Sequence, residues 1–411
     1  MSFGLLGRTL GHSFSPQIHA QIGDYDYQLF EVEPIDITAF FEGGDWQGIN
    51  VTIPYKETVM PFCDDIDEKA QRIGCVNTIV RRADGTLFGT NTDYDGLSFA
   101  LDNAGIAIKN RKCLVLGNGA TSKTITTVLG DKGAREIVIF GRHDAVPYSD
   151  IALHHDAEVI INATPVGMYP NNGARLIELD GFTQLEACFD VIYNPHRSRF
   201  LLDAERRGVT TCDGLPMLVA QAVFAAKYFI GLNDVESHIA PILSNMVADA
   251  ENIVLVGMPG VGKSTIGETL ADQLGRCFVD IDTAIEEQYG SVPDYINTYG
   301  IDAFRTIESE AIAVYGKEHG LVIATGGGSV TVPANKDLLR QNGRLYWLER
   351  PLEDLPTDGR PLSAGGLETL RRLYDERQAL YADFADYRLD NLHIEQTVSQ
   401  ILEDFHEAMH Y

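Results

Sequence analysis

Short apolar runs of three to five residues recur along the chain at 113–116, 137–140, 159–161, 188–192, 253–256, 321–324 and 344–348, separated by longer stretches with helical spacing. Such runs, bounded by turn residues and alternating with helices, predict parallel strands joined by crossover helices, so the chain reads as α/β. Two runs pass straight into glycine turns, at Gly117 and Gly257, and a helical pattern follows each turn. A helix N-terminus behind a glycine turn is an anion site, so the pattern predicts two separate phosphate-binding units. Between them, segment 233–251 is polar at both ends with an amphipathic middle, which places the join near residue 245. The expected plan is a first half of about 245 residues and a second of about 160, with no internal repeat.

Composition narrows the class. With 411 residues, 45% hydrophobic, 22% charged and 9% aromatic, the chain is neither a disulfide-stapled miniprotein nor a disordered one. Asp plus Glu number 59 against 32 Lys plus Arg, and a formal net charge of -27 repels nucleic acid and anionic lipid. No nucleic-acid or membrane partner is therefore expected, and an anionic substrate needs a pocket with its own Lys and Arg. The six cysteines are scattered without a C-x-x-C pair or zinc spacing, so they read as reduced thiols and no metal cluster is expected from them. The start, MSFGLLGRTLGHS, lacks a basic segment followed by an apolar run, and the stretch 217–232 is interrupted by Gln221 and Lys227. A soluble, cytoplasmic chain is the expectation. No feature of the sequence sets an oligomeric state.

The run GMPGVGKST, residues 257–265, begins with G-x-x-x-x-G-K-[ST] behind an apolar strand. In such a loop the backbone around Gly260 and Gly262 wraps the phosphates of a nucleotide, Lys263 carries charge toward the transferred phosphoryl, and the Ser264 hydroxyl, with Thr265 next to it, reaches Mg2+. Downstream, Asp280-Ile-Asp282, Phe304-Arg305 with Glu308, Gly326-Gly327-Gly328, Arg360-Pro361-Leu362 and Glu376-Arg377 with Tyr381 follow in that order. A small hydroxy acid needs a planar cationic clamp for its carboxylate and a carboxylate that aligns or deprotonates the attacking hydroxyl. Together these motifs resemble shikimate kinase over residues 252–395. The resemblance implies Asp280 near Mg2+, Asp282 on the shikimate hydroxyls, Arg305 and Arg377 on its carboxylate, and Arg360 in a lid that meets the transferring phosphate. Three consecutive glycines, with Gly327 and Gly328 nearest the substrate, let the backbone approach a ligand. The lid segment 352–363 is shorter than the family pattern and carries no obvious counterpart of the arginine that flanks adenine.

In the first half, the strand at 113–116 opens into GNGATSK, a G-x-G-x-x-S variant of the dinucleotide turn that puts Gly117, Gly119 and Ala120 at a cofactor phosphate. The next strand ends in Gly141-Arg142-His143, without an acidic residue for a ribose 2′-hydroxyl. An arginine there pairs with a 2′-phosphate, which favours NADP over NAD. Around this turn lie Gly11-His-Ser13-Phe-Ser15-Pro16, Asn50-Val-Thr52-Ile-Pro54-Tyr-Lys56, Asn77-Thr78 and Asn91-Thr92-Asp93, and then Asn162-Ala-Thr164-Pro165-Val-Gly167-Met168, Asp190-Val-Ile-Tyr193-Asn-Pro195 and Gly214-Leu-Pro-Met217-Leu-Val-Ala-Gln221. This ordered series resembles shikimate dehydrogenase over residues 3–232. The resemblance implies that Ser13, Ser15, Asn50, Thr52, Asn77, Asp93 and Gln221 line the substrate pocket and that Lys56 and Asp93 are the catalytic pair. It also implies Thr164 and Met168 on the nicotinamide side, with Tyr193 and Gly214 at the junction of substrate and cofactor. The turn departs from the commoner GAGGA-type sequence at Asn118, Ala120 and Thr121.

Both resemblances converge on one metabolite, because reduction of 3-dehydroshikimate makes the hydroxyl that a shikimate kinase phosphorylates. The expected chain is a fusion: a substrate domain at 1–98 completed by about 220–243, a Rossmann-type NADP domain at 99–219, and a P-loop kinase domain at 250–411. Expected ligands are NADP(H), ATP, Mg2+ and the small molecules 3-dehydroshikimate and shikimate. Two alternatives stand beside this reading. The short lid fits a nucleotide-sensing, catalytically weak kinase-like domain, and a quinate/shikimate dehydrogenase is opposed by Ser13, Ser15 and Arg142.

Overall fold

Residues 2–11, 13–355 and 366–407 are described by the computed structural model, and the chain divides between Met246 and Val247 into two units. The first unit begins with β1 (Ser2–Gly7), α1 (Ser15–Ile22), β2 (Tyr27–Glu31), α2 (Ile37–Gly43), β3 (Trp46–Val51), β4 (Asp65–Ile66), α3 (Glu68–Ile73), β5 (Thr78–Arg81) and β6 (Leu87–Thr90). These strands form one sheet in the order β2-β1-β3-β5-β6-β4. β1 and β3 are parallel, so the segments leaving them, around Ser13 and Thr52, emerge at the same edge. β5 runs antiparallel to β3 with Asn50 opposite Thr78, and β6 antiparallel to β5, which returns Asn77 and Thr90 to that edge. There α4 (Thr92–Asn103) starts, its first turn closed by Asn91 accepting from Tyr94 N at 3.2 Å. Asp93 is thus delivered beside the β1 and β3 loops by topology alone.

The second sheet contains β7 (Lys112–Leu116), β8 (Glu136–Phe140), β9 (Val159–Asn162), β10 (Ala187–Asp190) and β11 (Thr210–Cys212), with α5 (Ala120–Asp131) and α6 (Arg199–Glu205) as crossovers. Its order is β11-β10-β9-β7-β8, all parallel. The chain reverses direction at β7, so a crevice opens beyond the carboxyl ends of β7 and β9, the place where doubly wound sheets bind ligands. From there α7 (Leu215–Phe229) returns to pack on α4, α1 and β3, and α8 (Val235–Ala250) follows. The apolar run at 188–192 outlasts its strand: the Val191 N–H still bonds the Asn162 carbonyl at 3.0 Å, and then the Ile192 N–H turns back to the Asp190 carboxylate.

The second unit contains β12 (Asn252–Gly257), α9 (Lys263–Leu274), β13 (Phe278–Asp280), α10 (Ile281–Tyr289), α11 (Val292–Tyr299), α12 (Ile301–Tyr315), β14 (Val322–Ala324), α13 (Ala334–Arg340), β15 (Gly343–Glu349), α14 (Gly366–Phe384), β16 (Tyr387–Asp390) and α15 (Ile394–Glu407). The sheet β13-β14-β12-β15-β16 is parallel throughout, and its central β12 is buried on both faces, as an uninterrupted apolar run requires. Among the described residues no helix is long and apolar enough to cross a membrane.

Candidate active sites

In the first unit, a cavity of about 390 Å³ opens at the edge where β1, β3 and α4 converge. Its wall includes Ser13, Ser15, Asn50, Thr52, Lys56, Asn77, Asp93, Tyr193, Gly214 and Gln221, so residues spread over 200 positions of sequence meet. Lys56 Nζ lies 2.5 Å from Asp93 Oδ2, with only 12% and 10% of the two side chains exposed. Water screens such a pair little, and both charges are held in place. Asn77 Oδ1 accepts from Thr92 N at 2.7 Å and from Thr78 Oγ1 at 3.0 Å, which fixes the β5 entry against the first turn of α4. Asn50 is oriented from behind: its Oδ1 accepts from Tyr27 Oη at 2.8 Å and its Nδ2 donates to Thr78 Oγ1 at 3.1 Å. His19 stacks on Tyr27 at a ring separation of 3.8 Å, and burial pulls its imidazole down to about 3, so this support is uncharged. His19 belongs to none of the motifs, and Thr121, one of the turn's departures from the commoner sequence, also walls the cavity.

Gly117, Gly119, Ala120, Arg142, Thr164 and Met168 stand outside that wall. Gly117 has φ +111°, and an added Cβ would lie 2.7 Å from Thr164 Cγ2, so the turn and the loop after β9 are packed face to face. At Gly119, the residue before α5, an added Cβ would meet nothing within 4 Å. The turn is therefore open where a phosphate has to approach the helix N-terminus. Arg142 is exposed at the end of β8 and, among the described residues, pairs with no carboxylate. This combination fits a dinucleotide carrying a 2′-phosphate.

The second unit holds a cavity of about 640 Å³ at the carboxyl end of its sheet. Gly260 and Gly262 take φ +84° and +100°, which aims successive N–H groups into one concavity ahead of α9. Lys263, 9% exposed, rests its Nζ on the carbonyls of Gly257 and Met258 at 2.9 and 3.1 Å. Ser264 Oγ donates to Asp280 Oδ2 at 2.6 Å, while Asp280 Oδ1 closes the start of α10 by accepting from Asp282 N at 3.0 Å. A hydroxyl and a carboxylate oxygen beside a phosphate cradle fit Mg2+, a hard cation that takes few protein ligands.

Asp282 faces the same cavity, and burial pushes its carboxyl up to about 6, with Glu308 and Asp280 adding to the shift and Lys263 and Arg305 opposing it. Arg305 is held by Glu308, Nη1 to Oε2 at 2.5 Å, and the fully buried Glu308 also accepts from Ser329 Oγ at 2.6 Å. Each glycine of the run 326–328 is imposed by a different neighbour. An added Cβ would fall 2.5 Å from Glu308 Oε1 at Gly326, 2.6 Å from the Pro259 ring at Gly327 and 1.8 Å from Arg305 Nη2 at Gly328. Arg377 does not wall the cavity; it stands behind the run, donating from Nη1 to Gly327 O at 3.0 Å, beside Tyr381 Oη on the same carbonyl at 2.5 Å. Thr265 does wall it, and Arg360 lies outside the described residues. The sequence reading missed Asn391, buried at the end of β16, which donates to Val261 O at 2.6 Å and braces the phosphate loop. It also missed Arg350, on the cavity wall just after β15.

Comparison with known proteins agrees with this geometry. The family model for the shikimate dehydrogenase substrate binding domain matches residues 5–79, and that for shikimate kinase matches residues 259–408. A shikimate dehydrogenase (NADP(+)) of Clostridium beijerinckii is 36% identical over 245 residues, covering 55% of this chain and 90% of the relative. The chain belongs to the shikimate dehydrogenase family. The part of the polypeptide beyond that family's domain is what the shikimate kinase model matches. Among solved structures, the shikimate 5-dehydrogenase of Thermus thermophilus in complex with NADP(H) and shikimate matches with a TM-score of 0.53 at 29% identity, covering 59% of this chain and 98% of that one. The quinate dehydrogenase of Corynebacterium glutamicum in complex with NAD matches with a TM-score of 0.52 at 27% identity, over 59% and 99% of the two chains.

Proposed function

We propose that the first unit of this shikimate dehydrogenase family member reduces 3-dehydroshikimate to shikimate with NADPH, and that the second transfers phosphate from MgATP to the new hydroxyl, giving shikimate 3-phosphate. In this reading residues 1–98 with about 220–243 form the substrate domain, 99–219 the NADP domain and 250–411 the kinase domain. The first step is carried by the ammonium and carboxylate held 2.5 Å apart in the cavity of the first unit. NADPH supplies hydride, and the carbonyl that receives it gains negative charge on oxygen. Lys56 neutralises that charge and gives up a proton to it, while Asp93 aligns the lysine and the adjacent substrate hydroxyl. Ser13, Ser15, Asn50, Thr52, Asn77, Tyr193 and Gln221 offer a polar wall that orients a carboxylate and hydroxyls. Gly117, Gly119 and Ala120 hold the cofactor's phosphates, Arg142 its 2′-phosphate, and Thr164, Met168 and Gly214 its nicotinamide side. The NADP named for the Clostridium beijerinckii relative and the NADP(H) in the Thermus thermophilus structure support that choice.

In the second unit Gly260, Gly262, Lys263 and Thr265 hold the ATP phosphates, and Ser264 with Asp280 holds Mg2+, which screens their charge. Asp282, raised to about 6, takes up the proton of the attacking hydroxyl. Arg305 grips the shikimate carboxylate next to Gly328, Arg377 fixes the Gly327 carbonyl beneath it, and Arg360 is assigned to the transferring phosphate. ADP release by the whole chain with MgATP, with and without shikimate, tests the second step. Release that depends on shikimate and vanishes in Lys263→Ala is expected. ATP binding without such release would reassign the unit as a nucleotide sensor, and faster turnover of quinate with NAD+ than of shikimate with NADP+ would overturn the first assignment.

A further inference from the structure

Three buried polar side chains of the first unit have no place in the chemistry just described. Asp190 ends β10, Asn162 ends β9 in register beside it, and both are almost wholly inaccessible, as is Ser198 ahead of α6. Asp190 Oδ1 accepts from Asn162 Nδ2 and from Ile192 N, each at 3.0 Å, and Oδ2 accepts from Ser198 Oγ at 2.5 Å. Asn162 Oδ1 in turn accepts from Thr164 N at 3.0 Å and Thr164 Oγ1 at 2.8 Å.

Each partner leads to a different side of the cleft. The Thr164 methyl packs against Gly117, so Asn162 buttresses the dinucleotide turn. Ile192 lies between Val191 and Tyr193, which wall the substrate cavity, and its carbonyl accepts from Gly214 N at 2.9 Å, at the start of the helix that carries Gln221. Burial pushes the Asp190 carboxyl up to about 7 even though its hydrogen bonds oppose the shift. A buried carboxylate is a poor means of stabilising a fold, since well-packed apolar groups do as well or better. What it does provide is geometry, because one carboxylate fixes three donors at once.

We propose that Asp190 is a positioning residue of the dehydrogenase, locking the cofactor turn, through Asn162, to the substrate wall, through Ile192; this rests on the function proposed above for the first unit. Steady-state oxidation of shikimate by NADP+ in the full chain tests it. Asp190→Ala is expected to raise KM for both ligands about tenfold, the scale of lost hydrogen bonds to a charged group. Asp190→Asn, which keeps the Oδ1 acceptor, is expected to recover both to within about threefold of the parent. The Asp190→Ala and Asn162→Ala effects should be less than additive, because the two side chains act in one chain of contacts. Should Asp190→Ala not fold, Ser198→Ala removes only the Oδ2 bond of the three to Asp190, together with the 3.4 Å cap that Ser198 Oγ accepts from Leu201 N, and should still raise both constants together. A lowered melting temperature with both KM values unchanged, or a change in only one of them, would overturn the proposal alone. A parent chain unable to oxidise shikimate would overturn the functional reading beneath it.

Discussion

Gly328→Ala separates the Arg305 clamp from the rest of the kinase site. Gly328 has φ −109° and ψ 0°, which alanine adopts without strain, so the substitution acts only through its methyl group. That methyl would lie 1.8 Å from Arg305 Nη2, and real contacts stop near 3.0 Å, so the guanidinium has to retreat by at least 1.2 Å. The obstructing atoms are the guanidinium end of Arg305, which is paired to the buried Glu308, so the retreat also strains that pair and a melting curve has to show that the variant is folded. A retreat of that size carries a hydrogen bond of about 2.8 Å to about 4.0 Å, past the limit at which it counts as one. Losing a charge-assisted bond to a carboxylate costs about 1.5–3 kcal/mol, equivalent to roughly a 10- to 150-fold rise in KM for shikimate. The phosphate loop is untouched, so KM for ATP should stay within about twofold of the parent. Coupled ADP-release assays varying each substrate in turn would measure both. A shikimate KM unchanged in Gly328→Ala would show that Arg305 does not hold the substrate.

Four further outcomes follow from the geometry. Lys56→Ala should lower dehydrogenase turnover by at least about 10²-fold while ADP release by the second unit is unchanged, since the lysine is the proton donor of one reaction only. Arg142→Ala should raise KM for NADP+ about tenfold and leave that for NAD+ nearly constant, as checked by parallel titrations of the two cofactors. Kinase kcat/KM should rise with pH through about 6 and level off, as Asp282 loses its proton, and this limb should be missing in Asp282→Asn. The stability effect of the same group has the opposite sign. A carboxyl raised from 3.8 to about 6 on folding contributes its full stability below 3.8 and loses it as pH rises through 6, so Asp282→Asn should melt above the parent at pH 7.5 by a wider margin than at pH 4.

Much of the kinase site is legible because its chemistry is local. The phosphate loop is nine consecutive residues, and Asp280 and Asp282 fall on one strand-to-helix turn. The Lys56 and Asp93 pair is legible only through family resemblance, since 37 residues separate the two and their meeting depends on antiparallel pairing of β5 with β3 and β6. Asn391 was invisible for a related reason: its bond to Val261 spans 130 residues and exists only because β16 is placed two strands from β12. His19 was hidden differently, since it belongs to no motif, and Asp190, although it opens a motif of the dehydrogenase series, shows no sign there of its three bonds; what marks both is burial, which no single sequence displays.

The run 326–328 also constrains how this chain can vary over generations. A side chain at Gly326 is opposed by a buried acid, at Gly327 by a proline ring in the phosphate loop, and at Gly328 by a guanidinium, so the three positions have no common obstacle. Glu308 bears on two of them, since it also holds Arg305, but a change there would leave Gly327 facing the proline ring. The segment is therefore a mutational cul-de-sac, and a saturation library selected for growth on the kinase reaction should recover substitutions at these three codons far less often than in the helices on either side.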